Sequence, residues 1–340
     1  MLGALLGTAG LAQQGSPFRV LRGPDAVYFL RFSSDGRYLA RICQSGPVAI
    51  FETASYKRVR SFHIAMRMVA WNPAATLLAT AEGSDGARVW NAAAEGVRLP
   101  RSSLTEVDEV RVLRQPIQVL DTPGLPSSRV IFWTEFSPDG SRLITADASG
   151  TLKIRRTDTW TTERVINVGQ ETRSATFAPD GGTIYVGDMS GIVHVYDLVT
   201  GQQTLTFKAG DPVTALVMAP NGKAFVTIHG DGSAALVWSV AHKVATIKPL
   251  VGAVAYSADS KTLVLGGGSL ELVDPDLPGF GRTIALDQMS FVEANPRFAM
   301  VPNPDRKIPI AVTALAISPD GKTLAVGLFD TTTRFFNWPN

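Results

Sequence analysis

Residues Phe136–Thr145 read FSPDGSRLIT: an apolar residue closing one strand, a Ser-Pro-Asp-Gly turn, and a second strand that alternates apolar and polar side chains. In that turn Pro138 presets φ, Asp139 accepts the bridge geometry that follows, and Gly140 supplies the positive φ that returns the chain antiparallel. The stretch is therefore read as a hairpin. Six more segments repeat it: FSSDGRYLA from Phe32, WNPAATLLAT from Trp71, FAPDGGTIYV from Phe177, MAPNGKAFVT from Met218, YSADSKTLVL from Tyr256 and ISPDGKTLAV from Ile317.

Taken as anchors, Phe32, Trp71, Phe136, Phe177, Met218, Tyr256 and Ile317 are separated by 39, 65, 41, 41, 38 and 61 residues. A period of about 40–45 residues with several short strands per unit is the signature of β-propeller blades. The two long steps hold one period plus an insertion, near 92–128 and 275–309. The expected fold is all-β: a seven-bladed propeller of four-stranded antiparallel blades spanning 15–340. Phe18–Arg22 has strand character without a blade of its own, and the seventh unit (311–317, 323–328 and 333–338) stops one strand short. Pairing the two ends completes the last blade and removes an open edge.

The third strand often follows a Gly-containing turn, as at Asp85-Gly86, Ser149-Gly150, Ser190-Gly191 and Asp231-Gly232. It ends in an aromatic and a polar residue: Phe51-Glu52, Trp90-Asn91, Tyr196-Asp197 or Trp238-Ser239. In these features the chain resembles the WD-repeat β-propellers, whose units end in Trp-Asp. It departs from them in lacking the Gly-His pair that ties a His to an Asp between second and third strands; only His63 lies near that position. The blades are therefore expected to rely on packing and turn chemistry. In the first insertion, Pro116–Asp121 is expected to supply the outer strand of the second blade, and the rest to be loop. The second contains Pro278, Pro296, Pro302 and Pro304 between its ends, which excludes a long helix. A projecting loop or a small hairpin over Phe291–Val301 is expected instead.

Charged residues make up 18% of the 340, and the formal net charge is +2 from 32 basic and 30 acidic side chains. That balance gives no reason to expect a nucleic-acid partner. Cys43, the one cysteine, reads as a small buried hydrophobe. The apolar run Met1–Gln14, MLGALLGTAGLAQQ, ends in a small-x-small pattern and is too short to span a bilayer. It is expected to be a signal peptide over 1–14, which favours a periplasmic or extracellular location, although a charged stretch before it is missing.

Chemical motifs are few. Asp121-Thr122-Pro123-Gly124 and Gly321-Lys322-Thr323 match fragments of nucleotide-binding loops, but the latter has Ala316 where the loop needs Gly and lies in a hairpin turn. His63, His194, His229 and His242 fall in different units with no metal-ligand spacing. Asp274-Pro275-Asp276 and Gly266-Gly267-Gly268-Ser269 read as turns. No metal and no cofactor is expected.

Four residues before each anchor lie Tyr28, Arg67, Phe132, Arg173, Thr214, Gly252 and Thr313. In the resembling family this point lies near the mouth of the central channel. Tyr28, Arg67, Phe132 and Arg173 are thus the candidate partner-binding residues, since aromatics and arginines dominate binding hot spots. The expected function is a non-catalytic scaffold, a monomer that presents its rim and inserted loops to a protein or peptide. Two alternatives stand beside it. One is a metal-assisted propeller lactonase or hydrolase, for which Glu135 and Glu171 are the nearest acids. The other is an accessory subunit of a cell-envelope assembly, resembling bacterial propellers.

Overall fold

The computed structural model describes residues 16–44, 48–62, 68–83, 85–92, 97–98, 111–112, 116–120, 130–230, 234–241, 245–249, 251–274, 277–284, 288–290, 307–309 and 311–338. Among the described residues, seven blade sheets succeed one another along the chain, beside one separate two-stranded sheet. Their innermost strands are Val27–Phe32, Met68–Trp71, Ile131–Phe136, Thr172–Phe177, Val213–Met218, Ala253–Tyr256 and Val312–Ile317. Each pairs antiparallel with the strand after the turn, so every predicted anchor ends an innermost strand. Innermost strands of neighbouring blades lie against each other from the first blade to the fifth, and from the sixth through the seventh back to the first.

The turns work as the sequence implies. Gly140 has φ 73°, and its N–H donates to the Ser137 carbonyl at 2.8 Å. The Ser137 hydroxyl donates to Asp139 Oδ1 at 2.6 Å and accepts the Arg142 N–H at 2.9 Å, clamping both sides of the bend. The Ser/Asp pairs at 33/35, 257/259 and 318/320 repeat this bond. Where glycine is missing, Ala75 (φ 56°) and Ser260 (φ 62°) take the left-handed conformation themselves. The hairpin geometry prevails over a local cost of about 1–2 kcal/mol.

The ends close the ring. Arg19–Arg22 pairs antiparallel with Thr332–Asn337 in the register Arg19↔Phe335, Leu21↔Thr333 and Arg22↔Thr332, and the seventh sheet then continues through Thr323–Leu328 to Val312–Ile317. Tyr56 of the first blade packs edge-on to Phe335 at 4.8 Å and to Phe18 at 6.0 Å, covering the seam. Arg41, 4% exposed on the second strand of the first blade, reaches the Arg22 carbonyl at 3.4 Å and lies 4.6 Å from the Phe51 ring centroid.

Apolar side chains fill the spaces between blades. Fully burying a side chain such as Phe225, packed 5.1 Å from Phe207 and 5.9 Å from Trp238, is worth about 1.5–3 kcal/mol. Three second-strand glycines admit the next blade closely. A Cβ on Gly187, Gly266 or Gly327 would lie 2.4–2.6 Å from a Cγ1 of Val213, Val312 or Val27.

Two expectations are corrected. Packing and turn chemistry are supplemented by buried polar pins built from residues other than the familiar pair. Trp90 Nε1 donates to Thr80 Oγ1 (3.0 Å), whose hydroxyl donates to Glu82 Oε1 (2.6 Å), and Glu82 pairs with Arg88. Asp188 pairs with His194 at 2.8 Å and Asp330 with Arg334 at 2.9 Å, while Trp238 Nε1 bonds Thr227, which bonds His229. A buried polar group without such partners costs about 1–3 kcal/mol, so each second-strand polar residue requires its pin. His63 lies outside the described residues.

The second correction concerns the first insertion. Gln118–Val119 pairs with Ala87–Asn91 as the outer strand of the second blade, as expected. The remainder is more than loop: Arg111–Val112 pairs parallel with the outer strand of the first blade, Arg58–Phe62, and Val97–Arg98 pairs with Arg111–Val112. The first blade thus gains two strands beyond its antiparallel four. In the second insertion, Leu277–Ile284 is the outer strand of the sixth blade, and Gln288–Ser290 pairs with Lys307–Pro309. The expected loop or hairpin over 291–301 lies outside the described residues, as do the leader 1–14, Asp121–Gly124 and His242. No helix occurs among the described residues.

Candidate functional site: the rim of the channel

Five of the seven positions four residues before the anchors share a backbone feature. Pairing of the innermost strand slips between Val27 and Phe29, Ile131 and Trp133, Thr172 and Ser174, Val213 and Ala215, and Val312 and Ala314. The residues passed over are Tyr28, Phe132, Arg173, Thr214 and Thr313. Each is a β-bulge, which leaves its residue outside the ladder and re-aims its side chain. Bulged residues from five blades therefore stand at one end of the channel.

Their chemistry divides the ring. Thr313 turns its hydroxyl onto the Val27 and Gly327 carbonyls, and Thr214 donates to the Ile228 carbonyl at 3.1 Å. At the corresponding place in the sixth blade, Gly252 donates its N–H to Gly266 at 2.8 Å, and a Cβ there would lie 2.8 Å from the Val312 carbonyl. Those three blades project little. The first blade instead presents Tyr28, 48% exposed. Phe132 and Arg173, from the third and fourth blades, come together: the Arg173 guanidinium lies 5.1 Å from the Phe132 ring centroid, while its Nε donates to Glu171 at 2.7 Å. Arg67 lies outside the described residues.

Deeper along the same strands sits a carboxylate. Glu135, one residue before its anchor, is half-buried and accepts a hydrogen bond from Thr176 Oγ1 of the fourth blade at 2.9 Å. Burial pushes its carboxyl above the ordinary range, opposed by the Arg31 guanidinium of the first blade and by the Thr176 hydroxyl. Arg31 and Glu135 hold equivalent places in blades one and three; the same place between them is Ala70, which leaves their charges room to interact. In the sequence Glu135 stands out only as one of the two acids nearest the rim, beside Glu171. The signal that identifies its environment is alignment of the residues preceding the anchors, which puts Arg31, Ala70, Glu135 and Thr176 in one layer.

Other candidates resolve into structural roles. His194 is held between Asp188 and Gln203, and His229 between Thr227 and the Asp211 carbonyl. Gly321 is a hairpin turn residue at φ 66°, donating to Ser318, and Gly267 bonds Ser269 within its own turn. Cys43 is buried, and burial pushes its thiol up, away from reactivity. A recess on the third blade is lined by Arg142, Glu163, Arg156 and Asp158, which pair with one another at 2.6–2.9 Å. Among the described residues, no three His, Cys, Asp or Glu side chains are grouped to hold a metal ion, and no helix is long and apolar enough to cross a membrane.

A family model described as WD domain, G-beta repeat matches residues 309–337, which include all three strands that the C-terminal part of the chain contributes to the seventh blade. A search of curated proteins found no match.

Proposed function

The seven-bladed ring with a WD repeat as its last blade supports the WD-repeat propeller family, and from that premise we propose that the chain is a non-catalytic scaffold binding a protein or peptide at the channel rim. The observation that carries this reading is how unequally the blades present the position four residues before the anchor. Three blades turn a threonine hydroxyl or a bare glycine inward, whereas Tyr28, Phe132 and Arg173 project from the first, third and fourth. Large aromatic and arginine side chains supply most of the energy at protein interfaces. Here they are presented by rigid sheet, so little conformational freedom remains to be lost on binding.

In this reading the partner lies across the arc from the first to the fourth blade, and the chain acts as an exported monomer. The test is capture of binding partners from an extract of the native organism by immobilised protein. Tyr28→Ala combined with Phe132→Ala should remove captured species while the far-UV spectrum stays unchanged. Undiminished capture by that variant would refute the rim as the binding surface.

A further inference from the structure

Independently of the rim, we propose that Asn221, in the hairpin turn of the fifth blade, is a self-modification site: the Gly222 nitrogen converts its carboxamide to a cyclic imide, which water opens to aspartate or isoaspartate. The turn joins Val213–Met218 to Ala224–His229 and lies at the opposite end of the inner strand from Thr214. Asn221 is the one asparagine of the chain followed by glycine. Asn72, Asn295 and Asn303 precede proline, whose nitrogen has no hydrogen to give up, and Asn91, Asn167 and Asn337 precede residues whose side chains obstruct the approach. Glycine offers no such obstruction.

The folded turn brings the two groups together. Asn221 is exposed, and its Oδ1 accepts the Lys223 N–H at 2.9 Å, so the side chain is folded back along the Gly222 peptide. The Gly222 N–H donates to the Ala219 carbonyl at 2.9 Å, a bond that must open to free the nucleophile. In four other turns a serine hydroxyl, from Ser33, Ser137, Ser257 or Ser318, bonds the carboxylate at the place of Asn221; here Ala219 has none to offer. The fifth turn is thus less restrained than those four. In the reaction, the Gly222 nitrogen loses its proton to solvent and bonds to Asn221 Cγ, while the bond from Cγ to the side-chain nitrogen breaks and ammonia leaves. Water then adds to one imide carbonyl. Opening of one side leaves aspartate, a residue the turn accepts, since Asp259 and Asp320 hold the same place and bond the Lys261 and Lys322 N–H at 3.0 and 3.1 Å. Opening of the other side carries the backbone through Cβ and Cγ and lengthens the turn by one methylene.

For the test, the full-length chain is held at mildly alkaline pH and physiological temperature and followed by peptide mapping with mass spectrometry, Asn91 and Asn167 serving as internal references. Conversion at Asn221 at least tenfold faster than at either reference is the expected result. Ala219→Ser, which restores the clamping hydroxyl, should slow it at least threefold, and Asn221→Asp should keep the parent's urea midpoint. A native rate at Asn221 no higher than at the references overturns the proposal. Conversion seen only after unfolding in urea overturns it equally, since the folded turn would then shield the site. An unchanged rate in Ala219→Ser, folded as the parent is, would refute the role given to the missing hydroxyl. Should that variant not fold, the comparison of native and urea-unfolded parent decides alone.

Discussion

The Arg173 guanidinium and the Phe132 ring, 5.1 Å apart, join the bulges of the fourth and third blades at the channel rim. Arg173 is exposed, and a cation–π contact at such a site contributes about 0.5–1 kcal/mol, so its stability role is small. Arg173→Ala should leave the denaturant midpoint nearly unchanged and weaken partner capture at least fivefold. Arg173→Lys, which keeps the charge but loses the planar stack and the Nε bond to Glu171, should fall between the two. Parent-like capture by both variants would mean that the stack is structural only.

Gly327 tests how tightly the ring is closed. An alanine Cβ there would meet Val27 Cγ1 at 2.6 Å and Ala314 Cβ at 3.0 Å. Gly327→Ala should cost about 1–3 kcal/mol by overpacking. Val27→Ala made in the same chain should recover part of that loss, since touching residues couple by about 0.5–3 kcal/mol. Strictly additive costs in urea melts would show that the contact is not the source of the strain.

Removing residues 1–22 exposes the backbone edge of Thr332–Asn337, to which Arg19–Arg22 is paired. The truncated chain should unfold at lower denaturant and associate as concentration rises, because an unpaired edge recruits other strands. A peptide of residues 16–24, SPFRVLRGP, should restore the monomer. A truncated chain as stable and monodisperse as the parent would contradict closure by this strand.

Two carboxyls give opposite pH dependences. Glu135 is held above its ordinary value of 4.5 by burial, so the folded state retains a proton that the unfolded chain releases. Its contribution to stability is complete below 4.5 and is lost as pH rises through the folded value. Glu135→Gln, a neutral stand-in, should therefore be more stable than the parent at neutral pH, and the difference should vanish near pH 4.5. Asp139 is held down to about 2 from 3.8 by the Ser137 and Ser141 hydroxyls and the Ser141 N–H. Its contribution is present above 3.8 and is lost as pH falls through about 2, a loss that Asp139→Asn should lack. Unfolding profiles of the two variants parallel to the parent's across both ranges would remove these assignments.

Seven hairpins were legible in the sequence because their causes are local: turn residues set φ, and alternating side chains set which face is buried; the closing strand was legible because the seventh unit lacks a fourth strand. The same locality located Phe132 and Arg173 as equivalent positions in successive blades. That the two side chains touch, that Tyr28 stands out while Thr313 folds back, and that Glu135 shares a layer with Arg31 were settled by tertiary structure. Bulges within each hairpin and packing between blades, which brings together residues about forty apart such as Glu135 and Thr176, aim those groups. The first insertion shows the division most plainly. Pro116–Asp121 was legible as the outer strand of the second blade, but Arg111–Val112, read as loop, becomes strand because the fold leaves open the edge Arg58–Phe62 of the first blade.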